Sequence, residues 1–194
     1  MVVNVQVGRE SRVQKLLDML DRAVSAETSA EITEKIKNGL STLIRSGEIV
    51  LPEKFFQPHE NRYARRLLHV DDEKRYSVVV MTWGPTQSTP IHDHCGMWCV
   101  EGVLAGEIEV EQLDLVSCED ERYRFEKQNL VSAAVASAGC LIPPFEYHRI
   151  QNADISNTAV TIHVYGGEMK TCNIFEAQAD GTYRPVKKEL GFDN

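Results

Sequence analysis

His92 and His94 lie two residues apart in the stretch Pro90-Ile91-His92-Asp93-His94-Cys95-Gly96-Met97-Trp98-Cys99. On a β-strand, side chains alternate with period two, so this spacing turns both imidazoles to one face. Two neutral imidazoles from one strand supply half or more of the protein ligands a metal ion needs. An isolated pair of this kind is more often two surface histidines, so the chemistry rests on what else the chain brings to it. His148 is the third histidine of interest, on a short strand after the turn Pro143-Pro144. A barrel carries strands distant in sequence onto one interior face, where His92, His94 and His148 can converge on one cation. Three imidazoles with no cysteine or carboxylate suit iron, zinc, copper or nickel, and spacing alone does not choose among them.

The elements that must position these residues fall into two textures. Residues 10–46 read as two amphipathic helices. Val13, Leu16, Leu17, Leu20 and Val24 follow the i, i+3, i+4, i+7 pattern in the first, and Ile32, Ile36, Leu40 and Leu43 in the second. Ser29 is the expected N-cap of the second, Gly47 its end, and 51–61 a connector carrying Pro52 and Pro58. After Tyr63 short β runs take over: 75–83, 98–104, 107–113, 140–142, 147–150, 159–165 and one or two closing strands between Cys172 and Lys188 around Ala179-Asp180-Gly181. Residues 114–137 carry only weak signals. Many short strands with regular turns predict a mainly β fold, a β-barrel or jelly roll behind an N-terminal helical segment. The expected division is residues 1–62 as helices packed on the barrel and 63–194 as the barrel, one structural domain overall.

Composition narrows the function classes. A net charge of −8 over 194 residues argues against nucleic acid and membrane surfaces as partners, since basic patches are their usual footprint. The N-terminus has no long apolar run that would mark a signal peptide or a membrane span. Five cysteines without CxxC spacing fit free thiols in a reducing compartment, so a cytoplasmic protein is expected; a monomer is the default expectation, which the sequence itself does not determine.

The residues already named carry a resemblance. Pro90-Ile91-His92-Asp93-His94, a strand ending at Gly106, and Pro143 with His148-x-x-x-Asn152 resemble the two cupin motifs. Phe145 stands where the second motif usually has glycine, and Cys99 where the first usually has glutamate. That cysteine, with three histidines, is similar to the thiol dioxygenase branch of the cupins, and specifically to cysteine dioxygenase. From about Tyr63 to the C-terminus, further segments agree. Tyr63-Ala64-Arg65 resembles that family's Tyr-x-Arg, Trp83-Gly84 precedes the histidine pair, and Thr161-x-His163-x-Tyr165 resembles its Ser-x-His-x-Tyr. Tyr165 follows His148 by 17 residues, as in that family. Two departures bear on substrate. Gly166-Gly167 follows the tyrosine as in bacterial mercaptopropionate dioxygenases, yet those relatives usually carry glutamine in place of Arg65 and glycine in place of Cys99.

The resemblance implies a cofactor, a reaction and roles. Fe(II) held by His92, His94 and His148 would bind L-cysteine through sulfur and amine, with O2 alongside, and both oxygens would pass to sulfur to give the sulfinic acid. Uncompensated metal charge in a neutral three-histidine set favours an anionic thiolate. Arg65 would clamp the substrate carboxylate, with Arg66 the alternative if the register slips by one. Tyr165 would face substrate or O2, His163 would orient it, and Thr161 would sit behind His163. Tyr63 would support the carboxylate end. Cys99 would pair with Tyr165 in a thioether crosslink. Trp83 and Trp98 are expected in the core, Asp93 on the opposite face from the histidines, and His59 and His69 on the surface. Cys172 matches a cysteine near the family's active-site mouth. The alternatives are 3-mercaptopropionate dioxygenase and a non-catalytic cupin that senses or stores a metal or ligand.

Overall fold

The computed structural model describes residues 4–193, with side chains from Val13 onward. Two helices, α1 (Asn4–Ala23) and α2 (Ser29–Arg45), precede a 3-10 turn at Glu53–Phe56. Strands β1 (Ala64–Val70), β2 (Ser77–Trp83), β3 (Ile91–His92), β4 (Cys99–Ala105) and β5 (Glu107–Glu119) follow. The chain continues through β6 (Arg122–Ala134), β7 (Ala138–Leu141), β8 (His148–Asn152), β9 (Ala159–Tyr165), β10 (Thr171–Ala177) and β11 (Tyr183–Glu189). One antiparallel sheet runs β1-β2-β9-β4-β7 and the other β10-β11-β6-β5-β8-β3, the two-sheet jelly roll expected from the strand pattern. The second sheet curls until β11 meets β6 through one pairing, Tyr183 with Tyr123.

The first sheet is covered on both faces, which explains why β2 and β9 are buried along all seven residues. Val78, Val100, Ile162 and Val164 pack on Leu16, Leu20, Ile36 and Leu40 of the helices. Val79, Met81, Trp83, Cys99, Val103 and Tyr165 face Ile108, Ile150 and Cys172 of the other sheet. Gly102 marks the closest helix contact, since a Cβ there would meet Ile44 Cδ1 at 3.1 Å. No helix among the described residues is long and apolar enough to cross a membrane.

Four details differ from the sequence expectation. Thr28, not Ser29, caps α2: its hydroxyl accepts the Glu31 amide at 3.2 Å, while Ser29 is already helical. Residues 64–70 form a full strand although Arg65, Arg66 and His69 break its apolar pattern. β3 ends at His92, so His94 projects from the loop that follows rather than from the strand. The weak stretch 114–137 belongs largely to the longest hairpin, β5–β6. Much of it is solvated on both faces, which erases the alternation that marks a half-buried strand. Its turn places Asp120 and Glu121 at φ of 49° and 59°, a left-handed pair without the usual glycine or asparagine signal.

Candidate metal centre

Between the two sheets, His92, His94 and His148 bring their ring nitrogens within 4.8 Å of one another. β3 and β8 pair with His92 directly opposite His148, and the two ring centroids are 4.3 Å apart. His94 completes the triangle at 5.4 Å from His92 and 5.0 Å from His148. His94 and His148 have no solvent exposure.

Backbone contacts fix the tautomers. A carbonyl can only accept, so His148 Nδ1 donates to the Glu146 carbonyl at 2.7 Å and His92 Nδ1 to that of Pro90 at 3.2 Å. Each ring therefore keeps its Nε2 lone pair. His148 Nε2 and both nitrogens of His94 are buried without a hydrogen-bond partner. Burial, reinforced by His148, lowers the pKa of His92 to about 3 and that of His94 well below its usual value. Buried, neutral imidazoles with unpartnered lone pairs are the donor set a divalent ion satisfies, so these residues fit a metal.

The same pKa shift predicts a pH effect on the metal-free protein. An unfolded chain takes up protons below about pH 6.5 that the folded His92 and His94 refuse, so stability falls as pH drops from there toward 3. Thermal melts between pH 7 and 5 should show this decline, with a shallower slope in His92→Asn. Equal slopes in the two proteins would contradict it.

Against His92, at one corner of this triangle, lies a narrow cavity lined also by Tyr63, Arg65, Glu101, His163, Tyr165, Met169 and Cys172, among others. Arg65 is 4% exposed. Its Nη1 donates to the Gly191 carbonyl at 3.2 Å and its Nη2 to that of Met169 at 3.0 Å, while Nε has no partner. Phe192 lies under the guanidinium at 4.5 Å. Arg66 leaves by the other face of β1, donating to the Gln57 carbonyl and the Thr82 hydroxyl, and does not line the cavity. Tyr63 stacks on Trp83 at 4.7 Å.

β4 and β9 set the rest. Cys99 stands directly opposite Tyr165, and Glu101 opposite His163. Burial pushes both the Cys99 thiol and the Tyr165 phenol well up. Trp83 Nε1 donates to Thr161 Oγ1 at 2.9 Å, which frees the Thr161 hydroxyl to donate to His163 Nε2 at 2.7 Å. His163 thus carries its proton on Nδ1, 3.1 Å from Glu101 Oε1. His163 was expected to orient Tyr165, and it makes no hydrogen bond to the Tyr165 hydroxyl. Instead the two rings lie nearly parallel with centroids 6.1 Å apart.

Other expectations fall as follows. Asp93 turns away from the histidines and accepts the backbone and side-chain amides of Asn173 at 2.8 and 2.7 Å. Trp83 is fully buried and Trp98 half-buried; His59 is exposed. His69 is half-buried beside Tyr76 rather than on the surface. All five cysteines are free. Sequence reasoning missed Glu101 and the C-terminal segment around Gly191 that holds Arg65. The signal for Glu101 was its position two residues beyond Cys99, hence on the same strand face. The C-terminal segment had no comparable signal.

Comparison with known proteins bears on the family of the chain. A family model described as cysteine dioxygenase type I matches residues 13–178, reaching back into α1 where the sequence resemblance began near Tyr63. Cysteine dioxygenase type 1 of Danio rerio is 24% identical over 136 residues, covering 69% of this chain and 65% of its own. The Homo sapiens protein of that name is 26% identical over 120 residues, covering 59% and 56%. The chain thus spans somewhat less than two thirds of the curated relatives it matches. A solved Klebsiella pneumoniae protein with a double-stranded β-helix domain superimposes with a TM-score of 0.47 at 16% identity, covering 62% of this chain and 91% of its own.

Proposed function

The chain belongs to the cysteine dioxygenase type I family, and from that premise we propose that it is an iron-dependent thiol dioxygenase oxidising L-cysteine to cysteine sulfinic acid. The reaction balances as RSH + O2 → RSO2H, the second rung of thiol oxidation. The observation that carries this reading is one narrow cavity that meets the histidine triangle at His92 and is lined by Arg65, whose Nε has no partner. Fe(II), when bound by His92, His94 and His148, supplies positions for a thiolate and for O2 together with the redox capacity for the transfer.

The chain's own residues do the rest. Arg65 grips the substrate carboxylate; two backbone carbonyls and Phe192 fix its guanidinium in place before the substrate arrives. Tyr63, stacked on Trp83, supports the same end. Tyr165 presents its phenol, kept protonated by burial, as a hydrogen-bond donor toward the reacting sulfur or oxygen. Thr161 locks the His163 tautomer and thereby the wall beside Tyr165. The cavity is lined also by Met81, Ile150 and Leu190, which exclude water from the reacting sulfur.

Cys99 and Tyr165 face each other in register, which supports a thioether between them, formed with loss of two hydrogens to O2. Intact-mass measurement on turned-over enzyme should find a species two hydrogens lighter than the sequence, absent in Cys99→Ala. An unchanged mass would exclude the crosslink.

3-Mercaptopropionate is the competing substrate. Its main sequence support, Gly166-Gly167, has a packing cause: a Cβ on Gly166 would lie 2.5 Å from the Trp98 indole nitrogen. Glycine is needed there whatever the substrate, so Arg65 and Cys99 favour cysteine. Steady-state rates with both thiols test the choice.

A further inference from the structure

Arg65 and Glu101 line one narrow cavity, and among the described residues neither meets a charge of opposite sign. Arg65 donates through its side chain only to the carbonyls of Gly191 and Met169. The carboxylate of Asp193 accepts its backbone amide instead and is paired with Arg62. Glu101 is 7% exposed, and its ion-pair contacts are His148 and His163 alone. Neither supplies a cation. The Trp83–Thr161–His163 chain keeps His163 neutral, and its Nδ1, 3.1 Å from Oε1, is not aligned to donate. His148 Nε2, at 3.4 Å, carries the lone pair kept for the metal and has no proton to give. The Cys99 thiol reaches Oε1 only at 3.9 Å. Behind Glu101 a second cleft, walled by Val103, Ile108, Val110 and Leu141, brings no further charge to it.

A buried charge is costly until a group of opposite sign completes it. A ligand that completes both must carry an anion and a cationic or N–H donor group a short way apart. An α-amino acid does so, because its carboxylate and amino group share one carbon. Met81, Ile150 and Leu190 add only apolar wall, so the two charges set the orientation: carboxylate to Arg65, amino group to Glu101. β4 turns Glu101 inward opposite His163, and its approach to His148 puts an amino group held there beside the metal. A nitrogen bound to a metal keeps two N–H groups, so this contact coexists with chelation through the amine.

We propose that Glu101 accepts the amino group of the substrate and makes the cavity selective for α-amino thiols over thiols that bear a carboxylate alone. This rests on the substrate class of the proposed function. 3-Mercaptopropionate would satisfy Arg65 and leave Glu101 buried and unpaired, and cysteamine would do the reverse. Stranding a buried charge discriminates more strongly than omitting an apolar contact.

The test is anaerobic calorimetry on the Fe(II)-loaded full chain, its Glu101→Gln and Glu101→Leu variants and Arg65→Gln, with cysteine, 3-mercaptopropionate and cysteamine. Both Glu101 substitutions should lower the cysteine-to-mercaptopropionate affinity ratio by about tenfold or more, as loss of a hydrogen bond to a charged group does. Cysteamine should weaken alongside cysteine. Arg65→Gln should give the complementary pattern, weakening cysteine and mercaptopropionate and sparing cysteamine. A ratio within about twofold of wild type in both Glu101 variants would overturn the proposal. So would loss of iron from those variants, since the carboxylate would then serve the metal site rather than the substrate. A crystal structure of the anaerobic cysteine complex of the wild type removes any dependence on variant folding. An amino nitrogen within about 3.2 Å of a Glu101 oxygen supports the contact, and a separation beyond about 4 Å rejects it. Sulfinate assays on the same preparations keep the two claims apart. Cysteine binding that needs Glu101 without sulfinate would sink the dioxygenase and leave the contact, whereas sulfinate formation indifferent to Glu101 would do the opposite.

Discussion

Replacing His148 with alanine removes stoichiometric metal binding and, with it, thiol turnover. His148 lies fully buried at the start of β8, opposite His92, and its Nε2 is one of the lone pairs with no partner inside the protein. Losing one of three imidazoles takes away an entire donor, whereas changing an outer-shell partner costs about 10- to 100-fold. The metal-free variant should still fold, because the surrounding strand pairing of β8 with β5 does not involve the imidazole. Metal analysis after dialysis, alongside circular dichroism, checks both halves. A folded variant retaining one equivalent of metal would remove His148 from the site.

Glutamine at Arg65 lowers kcat/KM for cysteine by about 10- to 150-fold, the equivalent of the roughly 1.5–3 kcal/mol carried by a hydrogen bond to a charged group. The loss should appear mainly in KM, since the carboxylate is gripped alike in ground and transition states. Cysteamine, which lacks the carboxylate, should respond little to the substitution, and that contrast separates a clamp from a general packing defect. Lysine at this position should not restore activity. Its ammonium cannot reproduce the planar fork that Gly191 and Met169 hold in place. Unaffected cysteine turnover in Arg65→Gln would show that another group holds the carboxylate.

How far the sequence reaches is best seen residue by residue. The convergence of the three histidines was legible because strand spacing puts His92 and His94 close together and the β runs around them gave the architecture. Arg65 and Arg66 could not be separated by pattern. Only the direction of β1 decides that Arg65 turns to the cavity and Arg66 to Gln57 and Thr82. The β5–β6 hairpin stayed hidden because strand alternation records burial, and this ribbon leaves the core. Glu101 was passed over as one more acidic residue in an ordinary strand. Its meaning depends on the register that sets it against His163 and on burial that denies it a cation, neither of which is written in local sequence. His163 illustrates the same limit, since its spacing from Tyr165 put both on one face but could not give the nearly parallel arrangement of the rings.

The central claim is thiol oxidation at this centre, and one measurement bears on it most directly. Iron-loaded protein is mixed anaerobically with cysteine, 3-mercaptopropionate or cysteamine, then aerated while O2 uptake and sulfinate are followed together. The proposed function predicts one O2 consumed per sulfinate formed, with cysteine the best substrate. A strong preference for mercaptopropionate would reassign the substrate, and absence of O2 uptake with every thiol would contradict the enzyme and leave a metal-binding cupin.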